Sequence, residues 1–243
     1  MMPSAPGLEN NRIFTDGETE LDNTGNRRPL ASRKNRLIQA AARRLAACSF
    51  ITPNRISCAG VVFSAIGAAL LPSAHPAALL ACAVCIQLRL LCNLFDGMVA
   101  VEGGRKTPTG EMFNEFPDRI ADSLFLIALG YAVDWGWLGW LAALAAALTA
   151  YIRVFGGSLG LPQRFAGPMA KQHRMAVLTA ACIAGAWESA AYGTQFVLQT
   201  ALLLIVSGSV LTCVRRAGMM AVDLNRRAAQ EVPSAADVGT EKR

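Results

Sequence analysis

Acidic and amide side chains recur at helical spacing in one central stretch of the sequence, residues 93–122. The first set lies on one face of a helix: Asn93, Asp96, Gly97 and Ala100. The second set follows a glycine-rich break at steps of four residues and forms another single-faced stripe: Gly110, Asn114, Asp118 and Asp122. Two helices joined by a short loop therefore direct oxygen-bearing side chains at one shared place.

The oxygen atoms of these two stripes suit a hard divalent cation, Mg²⁺ or Mn²⁺, with a phosphate-bearing substrate to complete its coordination. Four oxygen ligands from the two facing helices would hold such a cation. Neither stripe contains His or Cys, which argues against zinc. Small residues beside the ligands would let the substrate lie against the helix backbone: Gly97, Ala100 and Gly110. The alternative is that the polar residues only hold helices together, although that role does not require Asp and small residues in register on two helices.

The surrounding sequence is typical of a polytopic membrane protein. Of its 243 residues, 53% are hydrophobic, and they are gathered in long runs. Residues 56–88 include no charged side chain and are interrupted only by the turn sequence LPSAHP, which predicts a hairpin of two helices. Further apolar runs cover roughly residues 123–133, 135–152, 175–187 and 193–214. We therefore expect an all-α fold with a bundle of six transmembrane helices, in which a carboxylate is costly and by default functional.

Basic residues alternate along the chain in a way that orients the predicted bundle. They cluster before the first span, between the second and third, between the fourth and fifth, and after the sixth, whereas the intervening turns hold none. The positive-inside rule then places both termini in the cytoplasm, and we expect a multi-pass protein of the cell inner (plasma) membrane. The net charge of +6 is thus a topology signal, and no nucleic-acid-binding motif accompanies it.

Four segments follow one another along the chain. Residues 1–32 are polar, lack an apolar period and are expected to be a disordered cytoplasmic N-terminus. Residues 33–55 predict an interfacial amphipathic helix followed by a turn at Thr52-Pro53-Asn54. Residues 56–220 form the predicted six-helix catalytic domain, and residues 221–243 are expected to be a disordered cytoplasmic tail.

The spacing of the two stripes resembles that of the CDP-alcohol phosphatidyltransferase family, whose pattern is D-x2-D-G-x2-A-R-x8-G-x3-D-x3-D. This chain preserves every spacing of the pattern and reads, in order, Asn93, Asp96, Gly97, Ala100, Val101, Gly110, Asn114 and Asp118. Three further segments resemble the family: TPN before the first span, YIR at 151–153 and GPMAKQHR at 167–174. The resemblance covers about residues 52–216 and implies six spans, cytoplasmic termini and an amphipathic N-terminal helix.

The resemblance also implies an integral-membrane phosphotransferase of phospholipid biosynthesis. It would move the phosphatidyl group of a CDP-linked lipid, expected to be CDP-diacylglycerol, to an alcohol acceptor and release CMP. Asp96 and Asp118, helped by Asn93 and Asn114, would hold Mg²⁺ or Mn²⁺ on the diphosphate. Asp118 would also accept the proton of the acceptor hydroxyl. Family members are often dimeric, which leaves a homodimer open.

Basic residues between the fourth and fifth predicted spans are the candidates for acceptor binding. In relatives that use phosphorylated acceptors, basic residues near these places bind the acceptor phosphate, which suggests Arg153, Lys171 and Arg174. The alternative is the positive-inside rule, which requires basic residues here whatever the chemistry. The residues do not identify the acceptor alcohol.

The chain departs from the family pattern at three positions. Asn93 and Asn114 stand where the family has Asp, and Val101 stands where it has Arg. An amide oxygen still ligates a hard cation, but each such change removes one negative charge, which leaves the number of bound metal ions open. Three acidic residues are near enough in sequence to compensate: Glu111, Glu115 and Asp122. Arg89, the only basic residue inside a predicted span, is expected to pair with a carboxylate, to contact a phosphate or only to hold helices together.

Two other functions stay open at this point. A catalytically weakened family member that binds lipid or nucleotide without turnover would account for the two Asn residues. A transporter that uses Asp96 and Asp118 as an ion site is less well supported, because the sequence shows neither an internal repeat nor a pair of Gly/Pro-broken spans. Metal-dependent release of CMP would separate the enzyme from both alternatives.

Overall fold

The computed structural model describes residues 36–48, 50, 52–102, 110–162 and 166–231. The regular elements of these residues are seven α-helices and one 3-10 turn, and no β-strand occurs among them. The helices are α1 (Arg36–Ala47), α2 (Pro53–Leu70), α3 (Pro76–Glu102), α4 (Gly110–Ala132), α5 (Gly136–Ser158), α6 (Lys171–Tyr192) and α7 (Phe196–Glu231). The all-α fold predicted from the sequence is confirmed.

Local sequence signals set the start of α2 and the turn that follows it. Thr52 precedes α2 with extended backbone, and its hydroxyl accepts a hydrogen bond from the backbone N–H of Arg55 at 3.3 Å. Pro53 is the first helical residue, where its missing N–H leaves no hydrogen bond unmade. The predicted break between the first two spans is the 3-10 turn Leu71–Ser73. The α2–α3 hairpin therefore lies where the sequence predicts it.

Five helices of the described chain are long and apolar enough to cross a membrane, namely α2, α3, α5, α6 and α7. The chain is therefore a multi-pass membrane protein. The third of the six predicted spans corresponds to α4, which is not among these five because ionisable residues fill its first half: Glu115, Asp118, Arg119 and Asp122. The count of six spans is thus not established, although α4 packs against α2 and α5 inside the bundle.

The amphipathic helix predicted before the first span corresponds to α1. Its Ala42 is fully buried and clusters with Leu94 and Met98 of α3. Arg43 and Arg44, which follow Ala42, are exposed. A helix that buries one face on the bundle and exposes arginines suits the edge of an anionic membrane.

The last helix, α7, continues beyond the predicted domain boundary at residue 220. It is 36 residues long and ends at Glu231, so the boundary falls inside it. The guanidinium of Arg227 donates to the carbonyl oxygens of Leu159 at 2.8 Å and Gly160 at 3.0 Å, which ties the additional turns to the end of α5. The predicted disordered segment 1–32 and the tail beyond residue 231 lie outside the described residues.

One apolar core runs through the bundle and includes side chains from α2 to α7. Glycines allow the closest approach of α4 and α5. A Cβ on Gly130 would lie 2.6 Å from the Cα of Gly139, and a Cβ on Gly139 would lie 2.8 Å from the carbonyl oxygen of Leu126. Close contact between small residues is a main source of helix association in membranes, where lipid is as apolar as the side chains. The α4–α5 hairpin therefore depends on glycine at both positions.

We expect Gly130→Ala to destabilise the protein by about 1–3 kcal/mol, because the new methyl group would overlap backbone atoms rather than a flexible side chain. The matched control is Gly218→Ala. Among the described residues, no atom of another element lies within 4 Å of the Cβ position of this exposed glycine of α7, and alanine favours the helix. The melting temperature of the detergent-solubilised protein checks both variants. An unchanged melting temperature for Gly130→Ala would show that the two helices separate without cost.

Candidate active site

Asp96 lies in the last two turns of α3 and is held by a serine of α2. The hydroxyl of Ser57 donates to Asp96 Oδ2 at 2.7 Å, and the backbone N–H of Gly97 donates to Asp96 Oδ1 at 2.6 Å. Asp96 is buried, and Asn93, one turn earlier on the same face, is half-buried. The Asp96 carboxylate is thus fixed by two donors inside the bundle.

Asp118 of α4 has a cation on each of its carboxylate oxygens. Its Oδ1 accepts hydrogen bonds from Arg89 Nη2 at 3.2 Å and from Asn93 Nδ2 at 3.0 Å. Its Oδ2 pairs with the ammonium of Lys171, which also donates to Asn93 Oδ1 at 3.0 Å. Asn93, Asp118 and Lys171 therefore form one hydrogen-bonded unit that joins α3, α4 and the start of α6.

Asp122, one turn further along α4, pairs with two arginines from two other helices. Its Oδ1 lies 2.9 Å from Arg89 Nη2, and its Oδ2 lies 3.0 Å from Arg174 Nη2. The three residues are almost fully buried, with exposed fractions of 2% for Arg89 and Asp122 and 0% for Arg174. Charges in an apolar bundle require such pairing, because their desolvation is costly.

A cavity lies between α2 and the two helices that carry the stripes. Its polar lining consists of Ser57, Arg89, Asn93, Asp96 and Asp118. Gly60 of α2 also lines this cavity, and a Cβ at this position would lie 3.3 Å from the Cβ of Cys92 on α3. The cavity thus brings two carboxylates, one amide and one guanidinium to a single space.

Glu115 lies three residues before Asp118, outside the five candidate spans, and pairs with two arginines. Its carboxylate oxygens lie 2.6 Å from Arg153 Nη2 and 3.4 Å from Arg119 Nη2. Burial acts to raise the pKa of the Glu115 carboxyl, but the charges of Arg153, Arg119 and Lys171 outweigh burial and hold this pKa below its usual range. Glu115 is therefore ionised at neutral pH and neutralises much of the charge of Arg153.

Three of the four predicted metal-binding residues share the cavity: Asn93, Asp96 and Asp118. The side chain of the fourth, Asn114, lies outside the described part of the chain, as does that of Glu111. The small residues predicted to lie against the substrate are half-buried and do not line this cavity: Gly97, Ala100 and Gly110.

The three basic residues predicted to bind an acceptor phosphate lie in different environments. Lys171 is joined to the carboxylate at position 118, beside the cavity. Arg153 lines a second cavity together with Arg216. Arg174 is buried behind the site, and its Nη1 donates to the carbonyl oxygen of Met169 at 2.9 Å.

The sequence patterns do not single out Ser57 or Arg216. Ser57 lies in an uncharged run, and its contact with Asp96 is a tertiary one that no local spacing indicates. Arg216 belongs to the basic cluster after the last span, where the positive-inside rule already explains it. The structure buries Arg216, which donates to the carbonyl oxygens of Ala166 at 2.8 Å and of Thr149.

No protein-family model matches the sequence. The chain is 34% identical over 145 residues to the archaetidylinositol phosphate synthase of Aeropyrum pernix, a match that covers 58% of this chain and 70% of that protein. It is 30% identical over 142 residues to the phosphatidylinositol phosphate synthase of Streptomyces avermitilis, with 55% of this chain and 58% of that protein covered. The match thus spans less than two thirds of the Streptomyces protein and more than two thirds of the Aeropyrum protein.

Solved structures share the fold. The phosphatidylinositol phosphate synthase of Mycobacterium tuberculosis with CDP-DAG bound has a TM-score of 0.65 at 22% identity, and the match covers 76% of this chain and 94% of that one. The same protein in complex with manganese and citrate has a TM-score of 0.64 at 21% identity, with 75% and 88% covered. At this identity the likeness shows the fold alone.

Three observations indicate the same family: the helical membrane fold, the cavity between the two stripes and the sequence identity to the Aeropyrum protein. Both curated relatives are named as synthases, which favours an enzyme over the non-catalytic and transporter alternatives. The chain belongs to the CDP-alcohol phosphatidyltransferase family, the metal-dependent membrane enzymes that move a phosphatidyl group from a CDP-linked lipid to an alcohol and release CMP.

Proposed function

We propose that this chain transfers the phosphatidyl group of CDP-diacylglycerol to a phosphorylated inositol and releases CMP. The cavity shared by Asp96, Asp118 and Asn93 carries this proposal, because two carboxylates at the family spacing line it together. The names of both curated relatives include inositol phosphate, which supports a phosphorylated inositol as the acceptor. The ligand of the mycobacterial structure supports CDP-diacylglycerol as the donor.

The residues of the cavity fit a hard divalent cation. The described residues include no group of three or more His, Cys, Asp or Glu side chains that could hold a metal ion. The ligands that the cavity offers are the carboxylates of Asp96 and Asp118 and the amide of Asn93. Mg²⁺ in phosphate-binding sites is held by one or two carboxylates together with substrate phosphates, which matches this set. Asn114, one turn before Asp118, completes the proposed ligands. When bound, Mg²⁺ or Mn²⁺ supplies positive charge to the diphosphate and to the departing CMP.

Asp118 is the proposed general base. In the transfer, the acceptor hydroxyl oxygen bonds to the phosphorus of the phosphatidyl group. The bond from that phosphorus to the CMP phosphate oxygen breaks, and CMP leaves with the bonding electron pair. The hydroxyl proton goes to a carboxylate oxygen of Asp118. Arg89 and Asn93 hold Oδ1, so Oδ2 becomes available to the proton once Lys171 turns to the acceptor phosphate.

We assign the acceptor phosphate to basic residues between α5 and α6. Lys171 lies beside Asp118, and Arg153 lines the second cavity together with Arg216. Glu115, the partner of Arg153, is three residues before Asp118 on α4, so a phosphate near Arg153 lies close to the proposed base. A phosphate held between Lys171 and Arg153 would thus direct an acceptor hydroxyl toward Asp118.

Arg174 has a different part in this proposal. Its guanidinium is fully buried and donates to the carbonyl oxygen of Met169 and to Asp122. These contacts leave its two terminal nitrogens engaged with protein oxygens. We therefore assign Arg174 to the positioning of Asp122 and α6 rather than to direct contact with the acceptor.

The proposed orientation places both termini on the cytoplasmic side of the cell inner (plasma) membrane. The exposed arginines of α1 and the basic residues at the α5–α6 connection support this orientation, since basic residues favour the cytoplasmic side. A homodimer, common in the family, stays a prediction.

Asp118→Asn should lower CMP release from CDP-diacylglycerol by on the order of 10²–10⁴-fold, because it removes the base while keeping the shape of the side chain. The measurement is Mg²⁺-dependent CMP release by purified protein in lipid nanodiscs, with inositol phosphate as acceptor. The matched control is Asp134→Asn. Asp134 is exposed in the α4–α5 turn with φ 61°, a conformation that Asn also tolerates, so this variant should keep full activity. Near-normal CMP release by Asp118→Asn would contradict the assignment of the base.

Arg153→Lys should raise the KM for inositol phosphate by on the order of tenfold, because Lys cannot make the bidentate phosphate contact of Arg. The affinity for the CDP-lipid and the melting temperature should change little, since the positive charge beside Glu115 is kept. Arg215→Lys is the control, because Arg215 is exposed on α7 next to Arg216 and serves topology alone. If Arg153→Lys and Arg215→Lys have the same KM for inositol phosphate, Arg153 does not bind the acceptor and serves topology alone. Transfer to an alcohol without phosphate would contradict the proposed acceptor.

A further inference from the structure

Arg89 is a charged side chain in the interior of a membrane-spanning helix. It lies midway along α3, and its exposed fraction is 2%. Its Nη2 donates to Asp118 Oδ1 at 3.2 Å and to Asp122 Oδ1 at 2.9 Å. An ionised residue inside a membrane bundle is by default functional, and these two contacts involve only one of its terminal nitrogens.

The other terminal nitrogen of Arg89, Nη1, is buried and has no hydrogen-bond partner in the described residues. A buried donor without an acceptor is a cost that a purely structural ion pair would avoid. In the part of the chain that the structure describes, three other buried atoms share this state: Nε of Arg119, Nε of Arg174 and Oγ of Ser209. None of those three residues lines the cavity between α2, α3 and α4, whereas Arg89 does. Arg89 thus has an unused hydrogen-bond donor and also lines the cavity in which the substrate would bind.

The charges around this cavity are already balanced by the protein. Asp96, Asp118 and Asp122 are matched in number by three cations: Arg89, Lys171 and Arg174. A divalent cation on the carboxylates would add two positive charges to this buried cluster, which is unfavourable unless an anion accompanies it. The diphosphate of a CDP-linked lipid is an anion of the required charge.

We propose that Arg89 binds the substrate directly: its Nη1 donates to a non-bridging oxygen of the diphosphate, while its Nη2 holds Asp118 and Asp122. Arginine suits both tasks, because its planar guanidinium carries donors on two terminal nitrogens in a fixed fork and stays charged in apolar surroundings. This inference rests on the proposed function, since it takes the cavity as the site of the diphosphate. Asn93 and Asn114 attract a metal ion less strongly than two aspartates would. Arg89 would therefore supply part of the positive charge that the diphosphate requires.

The test compares Arg89→Lys with the wild-type protein in lipid nanodiscs, with CDP as the probe in the presence of Mg²⁺. Lysine keeps one positive charge for the two aspartates but has no second nitrogen, so the Kd for CDP should rise roughly tenfold to hundredfold. The Kd for cytidine, which has no phosphate, should not change. Arg119→Lys is the matched control. Arg119 follows Asp118 on α4, and its buried Nε also has no partner among the described residues. It does not line the cavity, so its variant should bind CDP like the wild type.

An Arg89→Lys protein that melts earlier than the wild type but binds CDP equally well would overturn the inference and leave Arg89 with ion pairing alone. If this variant does not fold, a structure of the wild-type protein with CDP decides the question. Arg89 Nη1 within hydrogen-bond distance of a diphosphate oxygen supports the inference, and a diphosphate out of its reach overturns it. A wild-type protein that binds no CDP and releases no CMP overturns the proposed function, and this inference with it.

Discussion

A carboxylate buried in an apolar bundle requires partners, and Asp122 meets this requirement with arginines from two other helices. Arg89 of α3 and Arg174 of α6 contact its two oxygens at 2.9 and 3.0 Å. Apolar packing alone does not select which helix faces meet in a membrane, because lipid is as apolar as the side chains. Removing one partner of a buried ion pair typically costs about 3–5 kcal/mol. These pairs therefore fix α3, α4 and α6 to one another, and those helices carry most of the proposed site.

The position of the cavity depends on small residues of α2 that take no part in chemistry. A Cβ on Gly67 would lie 2.8 Å from the ring of Phe125 on α4, and one on Gly60 would lie 3.3 Å from a side chain of α3. Because neither side chain exists, α2 comes close enough to both motif helices for Ser57 to reach Asp96. The proposed substrate site is thus shaped by helix approach as much as by its charged residues.

Periodic features of the structure could be predicted from the sequence, whereas pairings between helices could not. The four-residue steps of the second stripe place its members on one face of α4, and the LPSAHP break gives the α2–α3 hairpin. The sequence also shows that Arg89 shares a face with Asn93, but its partner Asp122 is 33 residues away along the chain. The positive-inside rule explains Arg215 and Arg216 equally well, yet the structure exposes the first and buries the second. The rotation of a helix in the bundle decides which of two neighbouring basic residues is buried, and tertiary packing sets that rotation.

The departure from the family pattern at position 93 and the buried cations beside it are physically connected. Asn93 Nδ2 donates to Asp118, and Asn93 Oδ1 accepts from Lys171. A carboxylate could only accept hydrogen bonds, and two carboxylates at this distance would repel each other unless a cation lay between them. The amide relieves that repulsion inside the protein and allows Asn93, Lys171 and Asp118 to form a closed hydrogen-bonded unit. Under the proposed function, the lower negative charge at position 93 would weaken the binding of a metal ion alone, and the metal ion and the substrate diphosphate would together complete the charge balance of the site.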